Sequence, residues 1–460
     1  MDPQPGPHLA DPRDVRVVSV PIGMESGWRQ RCHVVIPPAR RPRAPAQTIF
    51  AFNQTSDAHA TAPARLQLNE NYSHLYRIGS HVKKTSGMWA MLGVWLCGWL
   101  VVHTARADTT TVTDLAGRQV RIPARVERVL LGEGRLLPAL AVVDGDDPTR
   151  RLVGMMGDFE QLDPASYAQW LARFPRLKDV PRIGRSQTGS FSDERALALR
   201  PQVAIFGLGG GHGPGERDRE TLARLEAAGV AIVFVDFRHD PLVNTPRSIA
   251  LLGQVFGSPQ RAAEFNAYWQ QQLDLVRTRL ATAHPAAPSV FLESRVGLSS
   301  DCCDTMTGMM GRLLDAAGGN NVAKGRVPGE HGTLNPEYLL SRQPDFYIGT
   351  AIGSLQTLQS APQRIALGAG VPHDAAVRSL DRSLKRPQIT RLRAVRERRA
   401  YAIWHHFYNS PFNVVAVQVM AKWLHPALFT DLDPRTTFDT MVRRFQPVPL
   451  QGEYWMQEGS

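Results

Sequence analysis

Cysteine is scarce in this chain, with only four among 460 residues. Two of them precede residue 108, and the other two, Cys302 and Cys303, are adjacent in the sequence. Neighbouring cysteines can pair with each other only as a strained vicinal disulfide, so the cysteines exclude a disulfide-rich fold. The apolar run at residues 88–102 is also short, because spanning a bilayer requires about 20 apolar residues.

Several motifs that mark enzymes are absent from the sequence. There is no G-x-S-x-G nucleophile elbow, no H-E-x-x-H zinc motif and no G-x-G-x-x-G opening a helix. The GGGHG run at residues 209–213 has neither the lysine nor the spacing of a phosphate-binding loop. These absences argue against an exported enzyme on an α/β scaffold, which nevertheless stays open as an alternative.

Positive charge is concentrated near the N-terminus. The net charge is +11 and the isoelectric point is near 9.8, which could suggest a nucleic acid or an anionic membrane as partner. Residues 1–107 carry a surplus of six of these charges, however, so the remainder of the chain has an unremarkable surplus of five. We therefore expect no nucleic-acid partner.

The first 107 residues divide into two predicted parts. Residues 1–81 are rich in proline and arginine and lack a regular period, so we predict a disordered or non-native leader. In residues 82–107, Lys83 and Lys84 precede the apolar run, and an Ala105-Arg106-Ala107 site follows it. This order predicts a signal peptide cleaved after Ala107, with a membrane anchor as the alternative.

The rest of the chain alternates strands and helices. Short apolar runs occur at residues 126–131, 151–156, 202–207 and 231–237, and again at 289–293, 345–350 and 400–404. Helical patterns separate them, which predicts an α/β fold with parallel-rich sheets covered by helices on both faces. We predict helices at residues 307–317 and from residue 410 to 424, and we expect residues 429–460 to form a cap followed by a loose end.

One long amphipathic helix is predicted at residues 258–283. Ser258 is a suitable N-cap, Pro259 suits the first helical position, and apolar residues recur at steps of three and four. The helix would be roughly 39 Å long. We predict that it joins two lobes, and that its stripe of Phe265, Trp269, Leu273 and Val276 packs on both.

Two segments of the chain are built alike. Each segment has an acidic residue and a short predicted helix, followed by a proline and a buried strand. The segments are SFSDERALALRPQVAIFG in the first half and TLNPEYLLSRQPDFYIGT in the second. Glu194 stands seven residues before Pro201, and Glu337 stands seven before Pro344. The pair suggests a pseudo-symmetric partner, although each carboxylate could simply stabilise its own helix N-terminus.

These features together resemble a known family. The chain resembles the periplasmic substrate-binding proteins of ABC importers for ferric siderophores, haem and cobalamin. The features that carry the resemblance are the predicted signal peptide, DLAGRQVRIPARVERVL, the paired segments, the long helix and DAAGGNNVA. The resemblance covers roughly residues 114–428. It implies two Rossmann-like lobes, at residues 108–257 and 284–460, with a ligand cleft between them.

The resemblance also implies a function and partners. We expect a monomeric periplasmic receptor without cofactor or catalytic residues, which delivers an iron complex, such as a ferric siderophore, to an ABC permease dimer in the inner membrane. Haem or cobalamin is the alternative ligand. In this family one carboxylate on each lobe docks into the permease, and the matching positions here are Glu194 and Glu337.

Candidate cleft residues follow from the predicted strand ends, because ligands of open parallel sheets lie beyond the carboxyl ends of the strands. The candidates are Arg135, Met156, Arg185, His212, Arg238, Arg295, Trp404, His405, His406 and Tyr408. Arg135 and Arg295 could equally be solvated. His405 and His406, as neighbours at a strand end, are expected to point to opposite faces and not to share a metal, so we predict no metal site within the protein.

Overall fold

The computed structural model describes residues 109–187, 189–299 and 302–459, together with the backbone of two strands near the N-terminus. These two strands, β1 (Arg16–Pro21) and β2 (Arg31–Ile36), pair in antiparallel fashion within a separate unit at residues 1–98. The predicted signal peptide, and the rest of the predicted leader, lie outside the described residues. Of the helices that the structure describes, none is both long and apolar enough to cross a membrane.

The first lobe is built on a four-stranded parallel sheet. An antiparallel hairpin of β3 (Thr109–Thr113) and β4 (Gln119–Pro123) comes first in the chain. The sheet strands are β5 (Val129–Leu131), β6 (Leu152–Met155), β7 (Val203–Gly207) and β8 (Ala231–Val235). Their order is β6-β5-β7-β8, and every pairing is parallel, as the apolar runs predict.

Helices cover both faces of this sheet. They are α1 (Leu137–Asp144), α2 (Asp158–Leu162), α3 (Pro164–Arg173), α4 (Asp193–Ala198), α5 (Arg219–Ala227) and α6 (Pro241–Val255). The apolar side chains divide into two clusters: a small one within this lobe and a large one that continues through the rest of the molecule.

The long helix, α7 (Pro259–Ala283), follows this lobe. Phe265, Trp269, Leu273 and Val276 are fully buried, and α7 packs against α6 and α1 of the first lobe and against the second lobe. The predicted stripe is therefore buried on both sides. Ser258 does not cap the helix as expected, because its hydroxyl donates to the Val143 carbonyl at 2.7 Å.

The second lobe contains a seven-stranded mixed sheet. Its members are β9 (Ser289–Glu293), β10 (Asp304–Met306), β11 (Asn320–Asn321), β12 (His331–Thr333), β13 (Phe346–Ala351), β15 (Ala400–Trp404) and β17 (Trp455–Gln457), while β14 (Gly368–Ala369) and β16 (Gly452–Glu453) form a separate pair. Strands β9, β13 and β15 are parallel and central, and antiparallel strands flank them.

The helices of the second lobe differ at their ends from the predicted bounds. They are α8 (Met310–Ala316), α9 (Pro336–Arg342), α10 (Thr357–Ser360), α11 (His373–Leu384), α12 (Arg393–Arg396), α13 (Asn413–Leu424) and α14 (Pro434–Phe445). Helix α8 starts three residues late, and α13 also starts three residues late, because residues 410–412, which follow the 3-10 helix at His405–Asn409, form a bend and a turn. A disulfide joins Cys302 to Cys303.

The C-terminal segment is not the loose end that the sequence suggested. Helix α14 packs on the interlobe helix α7, where the rings of Phe445 and Phe265 lie 5.1 Å apart between centroids. Gln446 donates to the Pro138 carbonyl of the first lobe at 2.9 Å, and β17 then adds a strand to the sheet of the second lobe. The tail is thus a second connection between the lobes.

Candidate functional site

A cavity of about 330 Å³ lies where the two lobes meet. The first lobe contributes residues from the turn after β5, from helices α2 and α3 and from the loop after β7: Arg135, Gln161, Leu162, Pro164 and His212. The second lobe contributes residues after β9, β13 and β15: Arg295, Leu298, Ile352, Thr357, Arg364, His405, His406 and Tyr408. The cavity thus occupies the cleft that the carboxyl ends of parallel strands define.

Arg135 forms the floor on the side of the first lobe. It lies in a 3-10 turn directly after β5 and is 6% exposed. The buried carboxylate of Asp158 accepts from the Gly134 amide at 2.6 Å and from Arg135 Nε at 3.1 Å, which fixes both the turn and the guanidinium. Burial acts to lower the pKa of Arg135, but Tyr408, Asp158 and Glu133 raise it, so the cation is retained.

A second ion pair lies behind Arg135. Glu133 pairs with Arg238, whose guanidinium also donates to the Gly210 carbonyl at 3.0 Å. Glycine leaves room for this packing: a Cβ at Gly211, whose φ is +108°, would lie 2.3 Å from Arg238 Nη1, and one at Gly207 would lie 2.4 Å from Glu133 Oε1. Glycine at these two positions therefore allows the ion pair to pack directly against the backbone.

His406 joins the lobes through both of its ring nitrogens. Arg135 Nη1 donates to Nδ1 at 3.0 Å, and Nε2 lies 3.2 Å from the Leu162 carbonyl. A guanidinium can only donate and a carbonyl can only accept, so the neutral Nε2–H tautomer is the one that fits. Burial, and then Arg135, lower the pKa of His406 well below its usual value, which keeps the ring uncharged.

His405 lies beside His406, with the ring centroids 5.5 Å apart. Its Nδ1 is 3.0 Å from the Thr350 hydroxyl, which also accepts from the Arg295 amide at 2.7 Å. Burial, followed by the charges of Arg295 and Arg135, lowers the pKa of His405 to about 3. Because the two histidines belong to a 3-10 helix, both line the same cavity, and the expectation that they point to opposite faces was wrong.

A smaller cavity of about 30 Å³ adjoins the cleft behind His406. Asp163 lies in its wall, and burial raises the pKa of this carboxyl to about 6 even though it accepts from the Ser166 amide at 3.3 Å. Trp404 lies here too, so the prediction that it faces the ligand cleft is corrected. Its indole instead packs edge-on against His406, with centroids 5.3 Å apart.

Three further predicted cleft residues lie outside the cavity lining. Met156 is fully buried in the core of the first lobe, where its sulfur packs against Gly184. Arg185 is exposed, and its amide donates to the Ser190 hydroxyl within its own loop. Arg238 is held behind the floor by Glu133. Six of the predicted residues do line the cavity: Arg135, His212, Arg295, His405, His406 and Tyr408. Nδ1 of His212 lies 2.6 Å from the Ser186 carbonyl oxygen.

Sequence reasoning missed other residues of the site. Glu133 and Asp158 could have been found, because each is an acidic residue shortly after an apolar strand. Glu133 lies two residues after β5, and Asp158 lies three residues after β6. Arg364 gave no such signal, since it lies in an irregular segment between α10 and β14. Among the residues that the structure describes, no cluster of three histidine, cysteine or acidic side chains could hold a metal ion.

The two candidate docking carboxylates occupy matching positions. Glu194 is the second residue of α4, which leads into β7, and Glu337 is the second residue of α9, which leads into β13. Both are exposed, and each helix is capped by the residue before its first turn, Ser192 and Asn335 respectively. The structure thus preserves the symmetry that the two sequence segments suggest.

Two α/β lobes with parallel-rich sheets, one long connecting helix and a polar cleft define a bilobal ligand-binding protein. The sequence model described as periplasmic binding protein matches residues 161–403, more than half of the chain. The chain therefore belongs to the periplasmic binding protein family, whose members serve as the substrate receptors of ABC importers. A search of curated proteins finds no significant match.

Solved structures support the same fold. A TroA-like periplasmic binding protein, FepB, from Veillonella parvula is 22% identical, with a TM-score of 0.67 over 76% of this chain and 99% of that one. The molybdate-bound protein MolA of Haemophilus influenzae is 16% identical, with a TM-score of 0.56 over 75% of this chain and 100% of that one. Nickel-bound CeuE of Helicobacter pylori is 13% identical, with a TM-score of 0.53 over 74% and 96%. At these identities the similarity establishes the fold.

Proposed function

We propose that this protein is a periplasmic receptor that binds an iron complex, in the first instance a ferric siderophore, and delivers it to an ABC import permease. The observation that carries the proposal is the lining of the interlobe cavity, where three arginines and three histidines lie without a carboxylate among the described residues. Guanidinium groups suit the anionic oxygens of a chelate. Export through a signal peptide cleaved after Ala107 belongs to the same proposal.

Receptor function requires no covalent step. The affinity of the protein for its ligand has only to differ between the free and the permease-docked states. The buried, hydrogen-bonded floor of Arg135, Asp158 and His406 supports a cleft that is largely preformed before the ligand enters, which limits the conformational entropy lost on binding. The similar structures named for FepB, molybdate and nickel indicate that this scaffold serves chemically different ligands, so the ligand has to be measured.

A fluorescence titration tests the receptor function directly. Trp404 packs on His406, which lines the cleft, so ligand binding is expected to change tryptophan emission. We expect a ferric siderophore to bind with a dissociation constant of about 1 µM or below, equivalent to ~8 kcal/mol. The corresponding iron-free siderophore and a Trp404→Phe variant are the controls. If ferric hydroxamates, catecholates and polycarboxylates all fail while haemin or cobalamin binds, the ligand is the alternative one; failure of all five contradicts the function.

The docking role of the two exposed carboxylates gives a second prediction. Glu194→Ala combined with Glu337→Ala is expected to abolish uptake while leaving affinity for the ligand unchanged, because both side chains lie outside the cleft lining. Uptake by cells and affinity in solution are measured on the same variants. Glu264→Ala, at an exposed carboxylate on α7, is the matched control and should transport normally. A loss of affinity in the double variant would place these carboxylates at the ligand and refute the docking role.

A further inference from the structure

The charge of the cleft is unevenly divided between the lobes. On the first lobe, Arg135 and Arg238 are matched by Glu133 and Asp158, so this buried cluster is close to neutral as a whole. On the second lobe, Arg295 and Arg364 both line the cavity, and neither forms an ion pair with any carboxylate in the described part of the chain. Uncompensated positive charge in the cleft therefore comes from the second lobe.

Two arginines that line the cavity, one from each lobe, carry a buried nitrogen without a hydrogen-bond acceptor among the described residues. Arg135 Nη2 is buried, and no hydrogen bond from the described residues reaches it; its distance to Glu133 Oε2 is 3.9 Å. Arg364 Nε is likewise buried and unpaired within the described chain. A buried donor without an acceptor is unfavourable by about 1 to 3 kcal/mol, so acceptor atoms of a ligand would be stabilising at both places.

Arg295 of the second lobe and Arg135 of the first line the cavity together with His405. Both charges lower the pKa of this imidazole, which places it within electrostatic reach of each. A ligand that contacts His405 would therefore meet a cation from each lobe. The cavity volume of about 330 Å³ lies near the lower end of the range for small-molecule sites, which favours a compact ligand.

Aromatic surface is sparse around this cavity. In the lining that the structure describes, Tyr408 is the one residue with a phenyl-type ring, and it is only 7% exposed. The apolar part of the lining is aliphatic and comes from residues such as Leu298, which is 44% exposed, Ile352 and Leu162. A planar aromatic chelator would find little phenyl-ring surface to stack on, whereas short aliphatic chains would be well covered.

We propose that the ligand is a compact polyanion rich in carboxylate groups, held by Arg295 and Arg364 on the second lobe and by Arg135 on the first, and that its chelator is of the polycarboxylate type and not catecholate or haem. This inference rests on the proposed receptor function and narrows its ligand class. A metal-free polycarboxylate or an inorganic oxyanion offers the same acidic oxygens, so the experiment has to separate these sources.

Binding measured by calorimetry on the whole protein tests the inference. The probes are the iron(III) dicitrate complex, citrate alone, molybdate, haemin, a ferric catecholate, and tris(acetohydroxamato)iron(III), which is small and uncharged. We expect iron dicitrate to bind most tightly, with an affinity that falls as salt rises. Arg295→Gln and Arg364→Gln should each weaken it by roughly tenfold or more, as expected for a lost hydrogen bond to a charged group.

Controls separate a lost charge from a damaged fold. Arg277→Gln, at an exposed position on α7, should leave the affinity unchanged, and thermal unfolding should be the same for all three variants. If citrate or molybdate alone binds, and binding depends on Arg295 and Arg364, the polyanion site stands while the iron-complex function fails. Three results would overturn the inference. The first is tighter binding of the uncharged complex, the catecholate or haemin than of every polyanion. The others are glutamine variants that bind iron dicitrate as well as the parent protein does, and a failure of every polyanion to bind.

Discussion

Replacing Trp269 with alanine is expected to lower the free energy of unfolding by about 3 to 5 kcal/mol. The side chain is fully buried at the middle of α7, where both lobes pack on the helix. Its indole Nε1 donates to Asn413 Oδ1 at 3.0 Å, and Asn413 Nδ2 donates in turn to the Thr245 hydroxyl at 2.7 Å. Alanine would leave a large cavity and also an unpaired amide oxygen in the core.

The buried chain of Trp269, Asn413 and Thr245 connects the interlobe helix, the second lobe and the first lobe in that order. Its loss should therefore loosen the whole molecule, and we expect one unfolding transition at lower urea concentration, followed by circular dichroism. Trp269→Phe keeps most of the apolar volume and should lower the free energy of unfolding by only about 1 to 3 kcal/mol. This smaller loss measures the cost of leaving the Asn413 amide oxygen unpaired.

Gln271→Ala provides the control for the first prediction. This residue lies on the exposed side of the same helix, so its replacement should change the stability by less than about 0.5 kcal/mol. A loss of that same small size for Trp269→Ala would contradict the role assigned to α7 as the shared core element of the lobes.

The regular parts of the fold could be predicted because each carries its own periodic signal. Buried parallel strands appear as short apolar runs, and the stripe from Phe265 to Val276 follows directly from the helical repeat. The same logic located several cleft residues, since Arg135, Arg295 and His405 each follow a strand end. The late start of α13 was missed because Ser410 and Pro411 match the pattern that opens a helix, whereas in the structure they belong to a bend and a turn.

Side-chain direction could not be predicted from the position of a residue in a loop. Met156 follows β6, as a cleft residue should, yet it turns into the core because Gly184 leaves room for its sulfur. Arg238 turns inward because Glu133, more than 100 residues earlier, attracts it. The tail was misjudged for a similar reason: the pairing of β17 with β15 and the contact of Phe445 with Phe265 are long-range and leave little local pattern.

Replacing Glu293 with alanine is expected to destabilise the second lobe by about 3 to 5 kcal/mol, because it removes one partner of a buried ion pair. Glu293 lies at the end of β9 and accepts from Arg386 through both oxygens, at 2.7 and 2.6 Å. The Tyr347 hydroxyl donates to the same carboxylate at 2.6 Å. Without Glu293, the mostly buried guanidinium of Arg386 would have no counter-charge nearby.

A double variant without either charge separates the ion pair from the space it fills. Glu293→Leu combined with Arg386→Met removes both charges with little change in volume, and buried pairs replaced in this way are often neutral in stability. We therefore expect the double variant to recover most of the stability that Glu293→Ala loses, measured by urea unfolding of all variants. Equal stability of parent and Glu293→Ala would show that the carboxylate is not needed to neutralise Arg386.

The consequence for binding follows from the position of Glu293 in the chain. Two residues later, the Arg295 amide donates to the Thr350 hydroxyl, which also contacts His405. Destabilising the end of β9 should therefore disturb a cationic wall of the cleft as well as the core beneath it. We expect Glu293→Ala to weaken binding of the anionic ligand, and the stable double variant to restore it, because the second lobe then again holds Arg295 in place.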